Sequence, residues 1–284
     1  MSDRWATWLA QRRFGGSEEV RVQSNKLFDE FRRRVLEGAR VEPGEVVLDV
    51  GCGEGLIGFG ALELVGTEGR VVFSDVSADV LDVCRELAGG DPRCDFVVAS
   101  ADDLPLPDES VDVVTTRSVV IYLDDKAPAL REFFRVLRSG GRLSMFEPIN
   151  DFAYPEPEGV FAGYDVRDVW DVVQRIRDQY DDAASTLHGW DERDLLRWTE
   201  EAGFSDVELT LEIEVKPQLM MDVRDWEVFR NFAPNPLAPT LQEAMDERLT
   251  PDEQARLVGH LRPLVERGQG GYRAASAYVR AVKG

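Results

Sequence analysis

"VVLDVGCGEGLIGFG", residues 46–60, decides the fold. Four of its first five residues are apolar and three are valine, the pattern of a strand buried on both faces. Glycines at 51, 53 and 55 follow at once, and "LIGFG" then reads as the start of a helix. A strand that turns on closely spaced glycines into a helix sets bare backbone N–H groups at the positive end of that helix, where a ligand can come close.

Two spacings coexist in this turn. Gly53 to Gly58 satisfies G-x-G-x-x-G, which suits a pyrophosphate, whereas Gly51, Gly53 and Gly55 form G-x-G-x-G directly after the strand. Charge separates the two. Glu54 lies among the glycines and Asp49 ends the strand, and two carboxylates oppose a dianion. They suit a ligand with positive charge, such as S-adenosylmethionine (SAM), whose ammonium Asp49 would answer directly or through water. Asp75 closes the next apolar run, "RVVFSD" (70–75), where an acid can take both ribose hydroxyls. NAD sites share that contact, so it places a ribose without choosing a cofactor.

Around the turn the chain alternates strand-like and helix-like patterns. "EVVLDV", "RVVFSDV", "CDFVVAS", "VDVVTT" and "GRLSMFE" read as strands, with helical patterns around 54–65, 77–89 and 125–137 between them. Such alternation builds right-handed βαβ units and a parallel sheet covered on both faces, so the fold class is α/β. Ahead of it, residues 3–13 and 24–39 read as amphipathic helices, the first stopped by Gly15 and Gly16. Behind it come a loop at 151–164 and helices near 165–180 and 191–202. A clean alternation at 206–215 predicts a half-exposed strand near a sheet edge. Residues 218–270 read as helical with a breaker at 233–240, and 272–283 as a final strand.

Composition excludes several classes. The 284 residues carry 54 acidic against 33 basic side chains, a formal charge of −21 that repels nucleic acid and anionic membrane surfaces alike. No apolar run reaches the roughly 20 residues of a membrane-spanning helix, and the N-terminus lacks the continuous apolar stretch of a signal peptide, so a cytoplasmic location is expected. Three cysteines without CxxC spacing and two distant histidines suggest neither a disulfide framework nor a metal centre.

With strand, Asp49, glycine turn, helix, strand and Asp75 in register, the sequence resembles the class I SAM-dependent methyltransferases. The resemblance continues through "VVASADDLPLPDESVDVVTTRSVVIYLDDKAPALREFFRVLRSGGRLSMFEP" (97–148), with a helix ending "REFFRVLRSGG" before the fifth strand, and covers residues 41–150. It implies a Rossmann-like, mostly parallel seven-stranded sheet with helices on both faces and helical lid and cap insertions. The implied division is a helical lid at 1–40, the SAM-binding core at 41–150, a helical insertion and last core helix at 151–203, a late strand at 204–217, a helical cap at 218–270 and the final strand at 271–284. By position, Asp49, Gly51, Gly53 and Gly55 would hold the amino-acid arm, Asp75 the ribose and Val76 one adenine face. Ala101 would offer its backbone N–H to the adenine. Ser100 stands where many relatives carry an acid that accepts the adenine amino group, with Asp102 as a nearby substitute. Arg117 and Ser118 would lie by the methionine moiety. SAM is the implied cofactor and S-adenosylhomocysteine its product.

Methyl transfer from a sulfonium disperses positive charge in the transition state, so a carboxylate against the sulfur would favour the ground state. Geometry, exclusion of water and a base for the acceptor are what remain for the protein to supply. Tyr122, Glu147 and His188 are the candidates for the catalytic role. His260, inside a helical pattern, reads as packing or solvent-facing. The expected function is methylation of a small organic molecule, with oxygen favoured over carbon or nitrogen. Two rivals stand beside it: use of bound SAM without methyl transfer, as in assisting a cyclisation, and a non-catalytic SAM-binding regulator.

Overall fold

The computed structural model describes residues 3–183, 185–218 and 223–284. The strands are β1 (Val46–Val50), β2 (Arg70–Asp75), β3 (Cys94–Val98), β4 (Val111–Arg117), β5 (Leu137–Pro148), the short pair β6 (Val160–Phe161) and β7 (Tyr164–Asp165), β8 (Ser205–Lys216) and β9 (Tyr272–Val282). All but β6 and β7 form one seven-stranded sheet in the order β3-β2-β1-β4-β5-β9-β8. Pairing from β3 through β5 is parallel, and β9 runs antiparallel to β5. It is the mostly parallel Rossmann-like sheet expected.

The chain leaves β1 towards β2 and returns to its other side as β4. Side by side at this reversal, β1 and β4 open a crevice beyond their C-terminal ends, the place where open α/β sheets hold ligands. Local chemistry sets the helices that frame it. The sequence α1 (Arg4–Thr7) and α2 (Glu18–Ala39) precedes the sheet, and α3 (Leu56–Leu64), α4 (Ala78–Ala88) and α5 (Ala127–Val136) connect its parallel strands. The α3 helix begins at Gly55, whose φ of +82° no β-branched residue would hold. Ser77 caps α4 by accepting from the Val80 N–H, and Gly89 ends it in the left-handed region.

The chain packs as two units. One comprises residues 26–149, 190–212 and 276–284 and contains the parallel sheet. In it, the second half of α2 packs against the sheet: Val35 clusters with Ile57 and Phe146, and Gly38 lets the helix settle on Ser144, whose hydroxyl donates to the Val35 carbonyl at 2.7 Å. Here too lies α7 (Glu192–Glu201), fixed at its start by an Asp191–Asp194 capping box.

The other unit comprises residues 1–25, 150–189 and 213–275. It holds α6 (Trp170–Ala183), α8 (Trp226–Asn231), α9 (Leu241–Arg248) and α10 (Pro251–Glu266) around a core that includes Tyr164, Ile176, Met245 and Leu261. The N-terminal helical segment joins it through Trp8, whose Nε1 donates to the Ala233 carbonyl at 2.9 Å. Residues 1–40 are thus shared between the units, with the boundary inside α2.

Three elements differ from expectation. The helix expected from residue 24 begins at Glu18, because Ser17 accepts from the Val20 N–H and Glu18 and Glu19 suit the positive first turn. Residues 137–140, expected at the end of a helix, belong to β5: α5 stops at Val136 and Leu137 pairs with Val111, with a register shift before Val113. The alternating strand β8 lies at the sheet edge as expected, but its apolar side chains Leu211, Ile213 and Val215 are exposed as well. Residues 219–222, inside the helical stretch expected at 218–270, lie outside the described residues. Among the described residues no helix is long and apolar enough to cross a membrane, and no cluster of His, Cys, Asp and Glu could hold a metal ion.

Candidate functional site

The glycine turn is held open by conformation and by crowding. Gly51, Gly53 and Gly55 all have positive φ, at +60°, +54° and +82°. A Cβ on Gly51 would stand 2.2 Å from Val119 Cγ2, so the turn after β1 sits directly against the segment after β4. Asp49 is sealed beneath it. Its Oδ2 accepts from the Gly58 N–H at 2.8 Å and its Oδ1 from the Thr115 hydroxyl at 3.0 Å. Asp49, expected as the answer to an ammonium, also ties β1 to the first turn of α3 and to β4 through these two bonds. Burial pushes its carboxyl up to about 7 despite those two bonds and the nearby Arg117.

Asp75 stands at the end of β2, where the register of the sheet predicts it. Its Oδ2 accepts from the Gly53 N–H at 3.1 Å and its Oδ1 from the Ser77 N–H at 2.9 Å. One acid therefore braces the middle glycine of the turn and the start of α4 together. Beside it, Val76 is 49% exposed, an apolar side chain available to cover a flat ligand face. Across the crevice edge the Ser100 hydroxyl donates to Asp102 Oδ1, joining the two adenine-side candidates into one acceptor pair, while Ala101 is buried.

The opposite wall comes from β4 and β5. Ser118 takes a φ of +55°, with its N–H donating to the Phe146 carbonyl at 2.8 Å. Glu147, at the end of β5, is fully buried: Oε1 accepts from the N–H groups of Val119 and Val120 at 2.9 and 3.0 Å, and Oε2 from that of Ile121 at 3.3 Å. Those bonds fix the 3-10 turn at Val120–Tyr122. Burial raises the Glu147 carboxyl to about 7, against the three amides. Glu147, a catalytic candidate of the sequence, turns both carboxylate oxygens to these amides and so positions the turn that carries Tyr122. The half-buried Tyr122 is the last residue of that turn. Arg117, at the end of β4, lies over the Phe28 and Phe31 rings of α2, 5.6 and 5.8 Å from their centroids.

His188 belongs to the other unit, within residues 150–189, where its ring stacks on Tyr154 at 4.2 Å and its Nδ1 lies 3.4 Å from Asp151 Oδ1. Desolvation lowers its pKa, outweighing the pull of Asp151 towards the charged form. His260 contacts the Asp165 carbonyl in the same unit. Two partners that matter escaped the sequence reading. Thr115 carries no motif and was reachable only through strand register, whereas Ser77, three residues before Val80 at a helix start, bore a readable N-cap signal.

An acid-ended glycine turn after the first strand and an acid after the second, on a sheet of this order, define the class I SAM-dependent methyltransferase fold. Residues 48–145 match the methyltransferase domain family, and this segment is a methyltransferase domain of that class, with SAM as its cofactor. Among curated relatives, the chain is 38% identical over 138 residues to the ubiquinone/menaquinone biosynthesis C-methyltransferase UbiE of Xanthomonas oryzae, a match covering 43% of this chain and 53% of the relative. The chain spans about half the length of that relative. Among solved structures it is similar to a phosphoethanolamine N-methyltransferase of Haemonchus contortus solved with phosphomonomethylethanolamine and S-adenosylhomocysteine (15% identity, TM-score 0.55, 98% of this chain and 56% of that one). It is similar as well to the [4+2]-cyclase SpnF (22% identity, TM-score 0.51, 92% of this chain and 81% of that one).

Proposed function

We propose that the protein transfers the methyl group of SAM to a small organic acceptor. The observation that carries this reading is Asp75 at the end of β2, hydrogen-bonded to Gly53 of the turn, so that a ribose-binding acid and the bare backbone for an amino-acid arm form one rigid edge. Glu54 is exposed in that turn, where a pyrophosphate would meet a like charge. In the step itself the acceptor's lone pair attacks the methyl carbon, the carbon–sulfur bond breaks with its electrons on sulfur, and the acceptor gives up a proton. Tyr122 and Ser118 border the crevice in which this occurs. Oxygen was the acceptor atom favoured by the sequence alone. The C-methyltransferase relatives support carbon, and a phenol or enol acceptor offers both atoms.

Calorimetry tests the cofactor reading. SAM and S-adenosylhomocysteine should both bind, and Asp75→Ala should weaken each by about 10–100-fold, the loss of hydrogen bonds to a charged acceptor. Tighter binding of NADH than of SAM would overturn it. A second reading, cofactor use without methyl transfer, is supported by the likeness in fold to a cyclase. Methyl-labelled SAM decides between the two: label appearing in product, at carbon or oxygen by NMR, supports transfer, and turnover with the label left in SAM supports the rival.

A further inference from the structure

Among the ionic groups around the crevice, Arg117 has acids nearby but no hydrogen-bond acceptor for its N–H groups within the described residues. Its guanidinium makes no hydrogen bond or ion pair among the described residues and lies over the faces of Phe28 and Phe31. The acids nearest to it are spoken for: Glu147 by three backbone amides and Asp49 by Gly58 and Thr115. The neighbouring cation, Arg34, lies over the Tyr278 ring and pairs with Glu212. Ring faces satisfy the plane of a guanidinium and leave the N–H groups at its edge without acceptors. A half-buried cation held in that state is poised for a carboxylate-like group, which matches its fork of donors.

The surroundings indicate which anion. Phe31 packs on Phe146 at 4.5 Å, and Phe146 on Tyr278 at 4.9 Å, so the guanidinium borders an aromatic row that runs from α2 across β5 to β9. That row lies on the side of β4 away from β2 and its Asp75. We propose that Arg117 is a specificity-determining residue that receives an anionic oxygen of the substrate, a carboxylate or phenolate carried on a flat apolar body. The preferred substrate is then an aromatic or enolic acid, held with its charged end at Arg117 and its ring against the Phe28–Phe31 wall. This rests on the methyltransferase reading above. It also runs against the net charge of −21, which disfavours anions everywhere else on the protein.

The test uses the whole protein saturated with S-adenosylhomocysteine and three probes of one shape: 2-naphthoate, 2-naphthylmethanol and 2-naphthylmethylamine, with affinities from ligand-observed NMR. The naphthoate is expected to bind at least about 10-fold more tightly than the alcohol or the amine, the effect of a charge-assisted hydrogen-bond pair. Arg117→Met should abolish that preference, Arg117→Lys should keep part of it, and both should change SAM affinity less than about threefold. Equal binding of the three probes, or no binding of the naphthoate, by the unmodified protein overturns the proposal without needing either variant to fold. A naphthoate preference that survives in Arg117→Met, with SAM affinity lost instead, assigns the guanidinium to the cofactor's carboxylate and also overturns it. Loss of SAM binding by the unmodified protein would sink the methyltransferase reading itself, an outcome distinct from both.

Discussion

Asp49 shows how one side chain can brace a motif from beneath, through Gly58 and Thr115. Its carboxyl, raised by burial to about 7, is easier to keep protonated in the folded chain than in the unfolded one. A group with a raised folded pKa contributes stability that is full below its unfolded value, near 4, and lost as pH rises through about 7. Asn is neutral throughout and can still accept from Gly58 while donating to Thr115. Asp49→Asn should therefore gain on the unmodified protein by on the order of 2 kcal/mol between pH 5 and pH 8, measured by denaturant titration. A difference independent of pH would show that Asp49 titrates normally. Gly51 makes the complementary point in space. Gly51→Ala should destabilise by about 1–3 kcal/mol, from the left-handed backbone and the contact with Val119, and abolish SAM binding. Adding Val119→Ala should restore part of the stability, a coupling that a double-mutant cycle reads directly.

At the scale of elements, the crevice depends on the C-terminal ends of neighbouring strands bracing each other's loops. The end of β2 braces the turn after β1 through Asp75, and the end of β5 braces the turn after β4 through Glu147. Glu147→Ala would strand three amide N–H groups in the interior, at a cost of about 3 kcal/mol. Because those amides set Tyr122 and not the glycine turn, turnover should fall by more than 10-fold while SAM affinity changes little; steady-state kinetics beside calorimetry separates the two. Equal losses in both would place Glu147 at the cofactor instead. The elements legible in advance were those whose signal is local: β1, β2 and β4 as apolar runs, α4 by its serine cap and terminal glycine. The early start of α2 and the extension of β5 through residues 137–140 were less so, because a pairing partner far along the chain, Val111, decides whether Leu137 continues a helix or joins a strand.

For the molecule as a whole, charge and division into units set the expectations. With a net charge of −21 and no basic patch interleaved with aromatics, the protein should give no gel-shift signal with DNA or RNA at micromolar concentration and physiological salt. A salt-sensitive shift would count against a small-molecule acceptor. Residues 1–40 are proposed as part of a lid. Their helical segment is anchored by Trp8 to the Ala233 carbonyl and by Arg12 to Glu243 within its own unit. Deleting residues 1–20 should leave the circular dichroism of the sheet intact and reduce turnover severely. Full turnover by the folded, truncated protein would refute the lid.

The sequence by itself determined the parallel sheet, the turn after β1 and the two acids at strand ends, because each is written in contiguous residues whose periodicity, glycine spacing and charge act locally. It also placed Arg117 and Glu147 at the ligand edge. What those side chains do there was decided only by tertiary structure. Asp49 and Glu147 were legible as acids near a ligand, and strand register delivers Thr115 to one and three loop amides to the other, so that both also serve as braces. Arg117 was legible as one basic residue among 33, and it stands out only because packing sets it against Phe28 and Phe31 and leaves its donors unanswered. Hydrogen-bond partners are chosen by distance in space, and that distance is fixed by contacts between segments far apart along the chain.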